Sequence, residues 1–238
     1  MFKNFIFLFR IYAAILSITP FYFKIKKYEK ANNKELLLKE MVNVNNYWGR
    51  HILRSAGVTV DVTGLEKLPD VACVYVCNHQ GNFDIPVITA TIDKQFGFIT
   101  KDSLSKVPIL SHWITAVGGL YINRDNPRES LKTIQEGIEK IQNGFSIFIF
   151  PEGTRSKKQS MNEFKKGSMR LAVKTKAPIV PITIQDSYKR FEEQNKVTPG
   201  VIKLTIHDPI DTASLSREEL KHINETVEEI IKSGIEND

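Results

Sequence analysis

The stretch Val71-Ala72-Cys73-Val74-Tyr75-Val76-Cys77-Asn78-His79-Gln80-Gly81-Asn82-Phe83-Asp84-Ile85-Pro86-Val87-Ile88 passes from an apolar run through a polar turn into a second apolar segment. Residues 71–77 read as a buried strand, because a strand covered on both faces shows no polar alternation. The early proline of the segment after Asp84 marks a helix start. His79 therefore stands at a strand end and Asp84 near a helix N-terminus. A catalytic base needs such a placement: rigidly held, open to substrate, and oriented by a carboxylate on its second ring nitrogen. A turn whose polar residues only cap the helix would look the same, and a lone H-x-x-x-x-D does not separate the two.

Upstream, Leu37, Met41, Val44, Trp48 and Ile52 recur at three- and four-residue steps and predict an amphipathic helix over 33–53, ended by Ala56-Gly57. An alternating strand over 58–62 comes after it. Downstream, residues 96–100 form a short strand that delivers Lys101 to its C-terminal end, and a helix is expected over 108–117, stopped by Gly118-Gly119. Residues 120–122 form a strand that delivers Asn123 and Arg124. Leu131, Ile134, Ile138 and Ile141 share one face of a helix over 128–143. The apolar strand 145–150 halts at Pro151, before the polar loop Glu152-Gly153-Thr154-Arg155-Ser156. A helix over 169–176 and strands over 179–184 and 201–207 come next. A capping box from Ser216 to Glu219 opens a last helix through Ile223, Val227 and Ile230.

This alternation predicts an α/β fold with a mainly parallel central sheet flanked by helices. Sites in such sheets form beyond the strand C-termini. The rule gathers His79 and Asp84, Lys101, Arg124 and the loop from Glu152 to Arg155 at one edge. A base and several cations at one sheet edge exceed what a capped turn requires.

The chain of 238 residues is 42% hydrophobic and 25% charged, which excludes wholesale disorder. Its net charge of +6 favours acidic partners: nucleic acid, anionic lipid or a phosphorylated substrate. No basic stretch interleaved with aromatics supports nucleic acid. Cys73 and Cys77 are the only cysteines. On one strand their Cα atoms would be roughly 13 Å apart at about 3.3 Å per residue, too far for a disulfide. Two cysteines also fall short of a structural zinc site, and the remaining histidines have no ligand-like spacing, so no metal is expected. A reducing, cytoplasmic setting fits.

Residues 5–23, FIFLFRIYAAILSITPFYF, are apolar apart from Arg10, two hydroxyl residues and Pro20, and Lys3, Lys24, Lys26 and Lys27 flank them. An arginine at the centre of a spanning helix costs roughly 2.5–3.5 kcal/mol. A segment lying in one leaflet with its lysines on the headgroups avoids that cost, so an interfacial helix is favoured over a spanning one. The expected division is a membrane-associated helical segment over 1–53 and a second domain over 54–238.

His79 with Asp84 lacks a protein nucleophile, since no G-x-S-x-G elbow occurs. Cys77 is a candidate that would share a strand face with His79, although a core cysteine packs there equally well. Otherwise the substrate brings the nucleophile: a hydroxyl that loses its proton to His79 while attacking an activated acyl group. Lys101, Arg124 and Arg155 are then natural ligands for a phosphate on the acceptor. Taken singly, each would pass as a surface cation.

Together these residues resemble a known family, the glycerolipid acyltransferases. Residues 78–84 look like its H-x-x-x-x-D block, Gly118-Gly119-Leu120-Tyr121-Ile122-Asn123-Arg124 its second, Phe150-Pro151-Glu152-Gly153-Thr154-Arg155-Ser156 its third and Ala177-Pro178-Ile179-Val180-Pro181-Ile182 its fourth. Lys101-Asp102-Ser103-Leu104 with Pro108, and Phe164-Lys165-Lys166-Gly167, resemble its shorter motifs. The likeness is strongest to the bacterial 1-acyl-glycerol-3-phosphate acyltransferases, which make phosphatidic acid from lysophosphatidic acid. It implies His79 as general base, Asp84 as its orienter, and Lys101, Arg124 and Arg155 on the acceptor phosphate, with Glu152, Gly153 and Thr154 in the same wall. It further implies acyl-CoA or acyl carrier protein as donor, no cofactor, membrane lipid as partner, and a membrane-associated protein whose catalytic domain faces the cytoplasm. Gly81 stands where the family often has serine, and Asn123 where many members have aspartate, which leaves the acceptor open. Another lysophospholipid acceptor, or an esterase or thioesterase in which water attacks, is the alternative.

Overall fold

The computed structural model describes residues 13–235, so residues 5–12 of the apolar N-terminal run lie outside the described residues. Residues 13–17 are helical, and α1 (Thr19–Lys30) and α2 (Lys34–Ala56) pack against each other. Asn33 starts α2 by accepting the Leu36 N–H at 3.1 Å, the job of an N-cap. The expected boundary between residues 53 and 54 falls inside this helix. Its last turns belong to the body of the fold, because Ile52, Leu53 and Ala56 share a core with the sheet. Ala14 and Ile18 are buried as well, whereas Leu16 and Phe23 are exposed. Among the described residues no helix is long and apolar enough to cross a membrane.

The strands are β1 (Val58–Thr63), β2 (Val74–Cys77), β3 (Phe96–Lys101), β4 (Leu120–Ile122), β5 (Ser146–Ile149), β6 (Ile179–Gln185) and β7 (Gly200–Ile206). They form one sheet in the order β1-β7-β6-β2-β5-β3-β4. Every neighbouring pair is parallel except β6 with β7. The strands β2 to β6 therefore end at the same edge, and the mainly parallel α/β expectation holds. β2, β5 and β6 are buried throughout, as continuous apolar strands inside a two-sided sheet must be. The edge strand β1 alternates.

The helices between strands are α3 (Asp84–Thr91), α4 (Leu110–Ala116), α5 (Pro127–Gln142) and α6 (Arg170–Thr175), and α7 (Arg217–Lys221) and α8 (Ile223–Ser233) close the chain. One face of the sheet, with Cys73, Tyr75, Cys77, Phe96 and Phe148, packs on α2 and α3. The other, with Val74, Val76, Ile147 and Ile149, packs on α5, α6 and α8. The period-2 alternation of side chains along β2 divides its apolar run between the two cores. The capping box forms, with the Ser216 N–H donating to Glu219 at 2.8 Å. The helix it opens is broken at His222, however, and Ile231 rather than Ile230 takes the buried position. Leu131 also departs from expectation, being 48% exposed.

Candidate active site

β2 ends at Cys77, and α3 begins at Asp84, so the turn between them presents both polar residues at the C-terminal edge of the sheet. His79 Nδ1 lies 2.6 Å from Asp84 Oδ2. The same oxygen accepts the N–H groups of Gln80 at 2.7 Å and Gly81 at 2.9 Å. The other, Oδ1, accepts the hydroxyl of Ser187. Asp84 is fully buried, and a buried carboxylate is tolerable only when hydrogen bonds replace its water. With Nδ1 facing Asp84, Nε2 is the ring nitrogen left for chemistry.

The back of the imidazole rests on Phe150, with ring centroids 4.0 Å apart and planes at 18°. Phe150 stacks in turn on Phe98, beside Phe148. Phe150, just after β5 and backed by Phe98 of β3, thus sets the ring's plane, and Asp84 sets its rotation. Asn78 is pinned to β6 by two bonds with Ile184, each 2.8 Å. The His79 carbonyl accepts the Ser156 N–H at 2.7 Å, and the Gln80 carbonyl accepts the Lys157 N–H at 3.1 Å. These two bonds tie the loop after β5 to the loop after β2.

His79 opens onto a cleft of about 730 Å³ whose walls include Lys101, Arg124, Gly153, Thr154 and Arg155. The strand ends thus bring together the cations expected of β3, β4 and the loop after β5. Arg124 donates to the Gly153 carbonyl, and burial lowers its pKa from the ordinary guanidinium value. Gly153 can aim that carbonyl because its φ of 74° is left-handed, a conformation glycine adopts without strain. A second hollow of about 660 Å³ shares Ile99, Arg124, Phe150 and Gly153 with the cleft. Leu131 and Ile134 line it beside Lys165 and Lys166, which accounts for the exposure of Leu131.

Glu152 is the one expected wall residue that is placed otherwise. It is only 1% exposed, and its carboxylate accepts the N–H groups of His79 at 2.6 Å and Asn162 at 2.7 Å. It lies behind the wall as a brace, because two buried main-chain donors claim its oxygens. Burial raises its pKa against the opposing pull of those donors. Cys77 is fully buried, and burial raises its thiol pKa well above the ordinary value, with Asp84 and Glu152 adding to the rise. A thiol in that state is no nucleophile.

Sequence reasoning missed Ser187 and Glu192, both in the connection between β6 and β7. Glu192 accepts the Asn82 N–H at 2.8 Å and pairs with Arg155 at 2.9 Å. Neither belongs to a recognisable spacing. The available signal was positional: they follow β6, whose C-terminal end lies at the same sheet edge.

With this geometry established, the relatives are informative. The sequence model of the family described as Acyltransferase matches residues 59–185, more than half of the chain. The chloroplastic 1-acyl-sn-glycerol-3-phosphate acyltransferase BAT2 of Brassica napus is 35% identical over 63% of this chain, but over only 44% of its own length. The chain thus spans less than half of that plant relative. The 1-acyl-sn-glycerol-3-phosphate acyltransferase of Borreliella burgdorferi is 29% identical over 76% of this chain and 73% of its own. The crystal structure of the 1-acyl-sn-glycerophosphate (LPA) acyltransferase PlsC from Thermotoga maritima superposes with a TM-score of 0.76 at 29% identity, covering 98% of this chain and 96% of that one. The matched residues run from β1 to the end of β6 and contain His79, Asp84 and the three cations, and the chain belongs to the Acyltransferase family.

Proposed function

We propose that this protein transfers a fatty acyl group from a thioester donor, acyl-CoA or acyl carrier protein, to the free hydroxyl of 1-acyl-glycerol 3-phosphate, giving phosphatidic acid. The observation that carries the reading is the His79–Asp84 pair, 2.6 Å apart, opening onto a cleft that also holds Lys101, Arg124 and Arg155. The acceptor hydroxyl gives its proton to His79 Nε2 as its oxygen attacks the thioester carbonyl. Asp84 keeps the proton on Nδ1 and stabilises the imidazolium that forms. The tetrahedral intermediate collapses with breakage of the C–S bond, and the imidazolium returns the proton to the departing sulfur. The cations neutralise the acceptor phosphate and fix the hydroxyl's approach, which converts binding energy into orientation. The apolar part of the adjoining hollow, with Ile122, Leu131 and Ile134, suits an acyl chain.

Exposed Leu16 and Phe23 beside Lys24 and Lys27 support attachment to a lipid surface, and we propose that the catalytic domain lies on its cytoplasmic side. The test combines purified protein, acyl-CoA or acyl carrier protein, and a panel of lyso-acceptors with and without phosphate. Wild type forms phosphatidic acid, and His79→Ala loses about 10²- to 10⁴-fold. Transfer retained by His79→Ala overturns the mechanism. Equal use of unphosphorylated acceptors overturns the role of the cations, and free fatty acid released without acceptor dependence makes the protein an esterase or thioesterase.

A further inference from the structure

Arg155 is not an unengaged cation at the cleft wall. Its Nη1 donates to Glu192 Oε1 at 2.9 Å and to the side-chain oxygen of Asn82. The same Glu192 oxygen accepts the Asn82 N–H at 2.8 Å, so one carboxylate joins the arginine of the loop after β5 to the loop that carries His79. The Glu192 side chain is 4% exposed and that of Arg155 34%, so the acid is enclosed while the guanidinium still reaches the cleft. The enclosure has a cause in the sequence. A Cβ on residue 81 would stand 2.5 Å from Glu192 Oε2 and 3.0 Å from its Cδ. The carboxylate thus occupies the space that a side chain at residue 81 would need. Gly81 is not at positive φ, so its backbone does not demand glycine. A side chain there would instead displace the Glu192 carboxylate, the movable end of a flexible side chain. Glu192 also lies beyond residues 59–185, the part of the chain matched to the family.

We propose that Glu192 is a positioning residue, seated by the missing side chain at Gly81, which aims the Arg155 guanidinium at the anionic group of the acceptor. The anion is the phosphate of 1-acyl-glycerol 3-phosphate, so the inference rests on the acyltransferase reading above. An arginine on a flexible stem gives up rotamer entropy when it grips a phosphate, and a carboxylate that already holds one end of the fork removes part of that loss. Burial raises the pKa of Glu192, while the Asn82 N–H and, less strongly, Arg155 oppose the rise. Because Glu192 touches Arg155 and not the reacting atoms, its loss should act on acceptor binding before it acts on turnover.

The experiment is a double-mutant cycle read as KM for 1-acyl-glycerol 3-phosphate and kcat, with thermal unfolding monitored in parallel. Glu192→Ala raises KM about tenfold, near the lower end for one charge-assisted hydrogen bond, with a much smaller change in kcat. Glu192→Gln keeps an acceptor for both donors and recovers part of the loss. Gly81→Ala, which expels the carboxylate, raises KM as Glu192→Ala does. In the Glu192→Ala background the same glycine substitution adds little, since the remaining neighbour, Tyr188 Cα at 3.3 Å, needs to yield only a few tenths of an ångström. Likewise, Glu192→Ala adds little once Arg155 is Ala. An unchanged KM in Glu192→Ala, or additive effects of Glu192→Ala with Gly81→Ala or Arg155→Ala, overturns the proposal while leaving the acyltransferase reading intact. A wild type that transfers nothing to this acceptor overturns both.

Discussion

Glu152 Oε1 accepts the main-chain N–H of His79 at 2.6 Å, so an acid in the loop after β5 holds the backbone of the histidine after β2. The other oxygen holds Asn162. The third block of the resemblance is thus split by function in space: Glu152 faces inward as a brace, whereas Gly153, Thr154 and Arg155 face the cleft.

Glu152→Ala removes the acceptor for both donors. It should destabilise the fold by on the order of 2 kcal/mol, the penalty for stranding buried donors, and lower kcat by letting the His79 loop drift. Glu152→Gln keeps one carbonyl oxygen and should fall between wild type and Ala in both respects. Chemical denaturation and initial rates on one set of preparations check this, and a normal kcat in Glu152→Ala would remove the brace from the mechanism.

Cys77→Ala should cost about 1 kcal/mol of stability and leave acyl transfer largely intact. Its thiol is fully buried and its pKa raised by that burial, so no thiolate is available to form an acyl-enzyme. Mass spectrometry of the protein quenched during turnover should find no thioester at this position. A trapped acyl-Cys77 would restore the covalent route.

Gly49 of α2 lies against α3, where a Cβ would sit 2.5 Å from Thr89 Oγ1 and 2.7 Å from the Pro86 carbonyl oxygen. Gly49→Ala should therefore push apart the helix pair and cost about 1–3 kcal/mol by overpacking. Because α3 begins at Asp84, the same substitution should reduce kcat although residue 49 is remote from the cleft. Thermal unfolding together with kcat tests the link, and a stability loss with unaltered kcat would show that α3 moves without carrying Asp84.

His207 donates from Nε2 to Thr183 Oγ1 at 2.8 Å, and that hydroxyl donates to the Ile231 carbonyl at 2.7 Å, joining β6 to α8. Burial and the nearby Lys67 lower the pKa of this histidine below 6.5, while Asp208 opposes them. The folded chain then binds fewer protons here than the unfolded chain, so the stability present above pH 6.5 is lost as pH falls toward the lowered folded value. His207→Asn should flatten the decline in denaturation midpoint between about pH 7.5 and about pH 5.5, the window around the ordinary histidine value. An unchanged slope would exclude His207 as a source of acid sensitivity.

Much of the architecture is legible in the sequence. The apolar runs of β2, β5 and β6 and the stepped spacing of α2 and α5 reflect burial, and burial is written locally in residue type. Element ends were legible where a residue has a specific local job, as with Gly57 after α2 and Ser216 before α7. The split of the last helix at His222 was not, because the core selects Ile231 only after α8 has docked on β6. The membership of His79, Asp84, Lys101, Arg124 and Arg155 in one site followed from their common position after parallel strands.

By itself the sequence determined that His79, Asp84, Lys101, Arg124 and the loop from Glu152 to Arg155 collect at one sheet edge, since each follows a strand of a mainly parallel sheet. Only the tertiary structure decided what each group does there. Glu152 turns inward because two main-chain donors need its oxygens, and Ser187 completes the shell of Asp84 from a loop more than a hundred positions away. Glu192 reaches Arg155 through the space left at Gly81. Hydrogen bonds between distant loops depend on how the loops pack, and the spacing of residues along one chain carries no record of that packing.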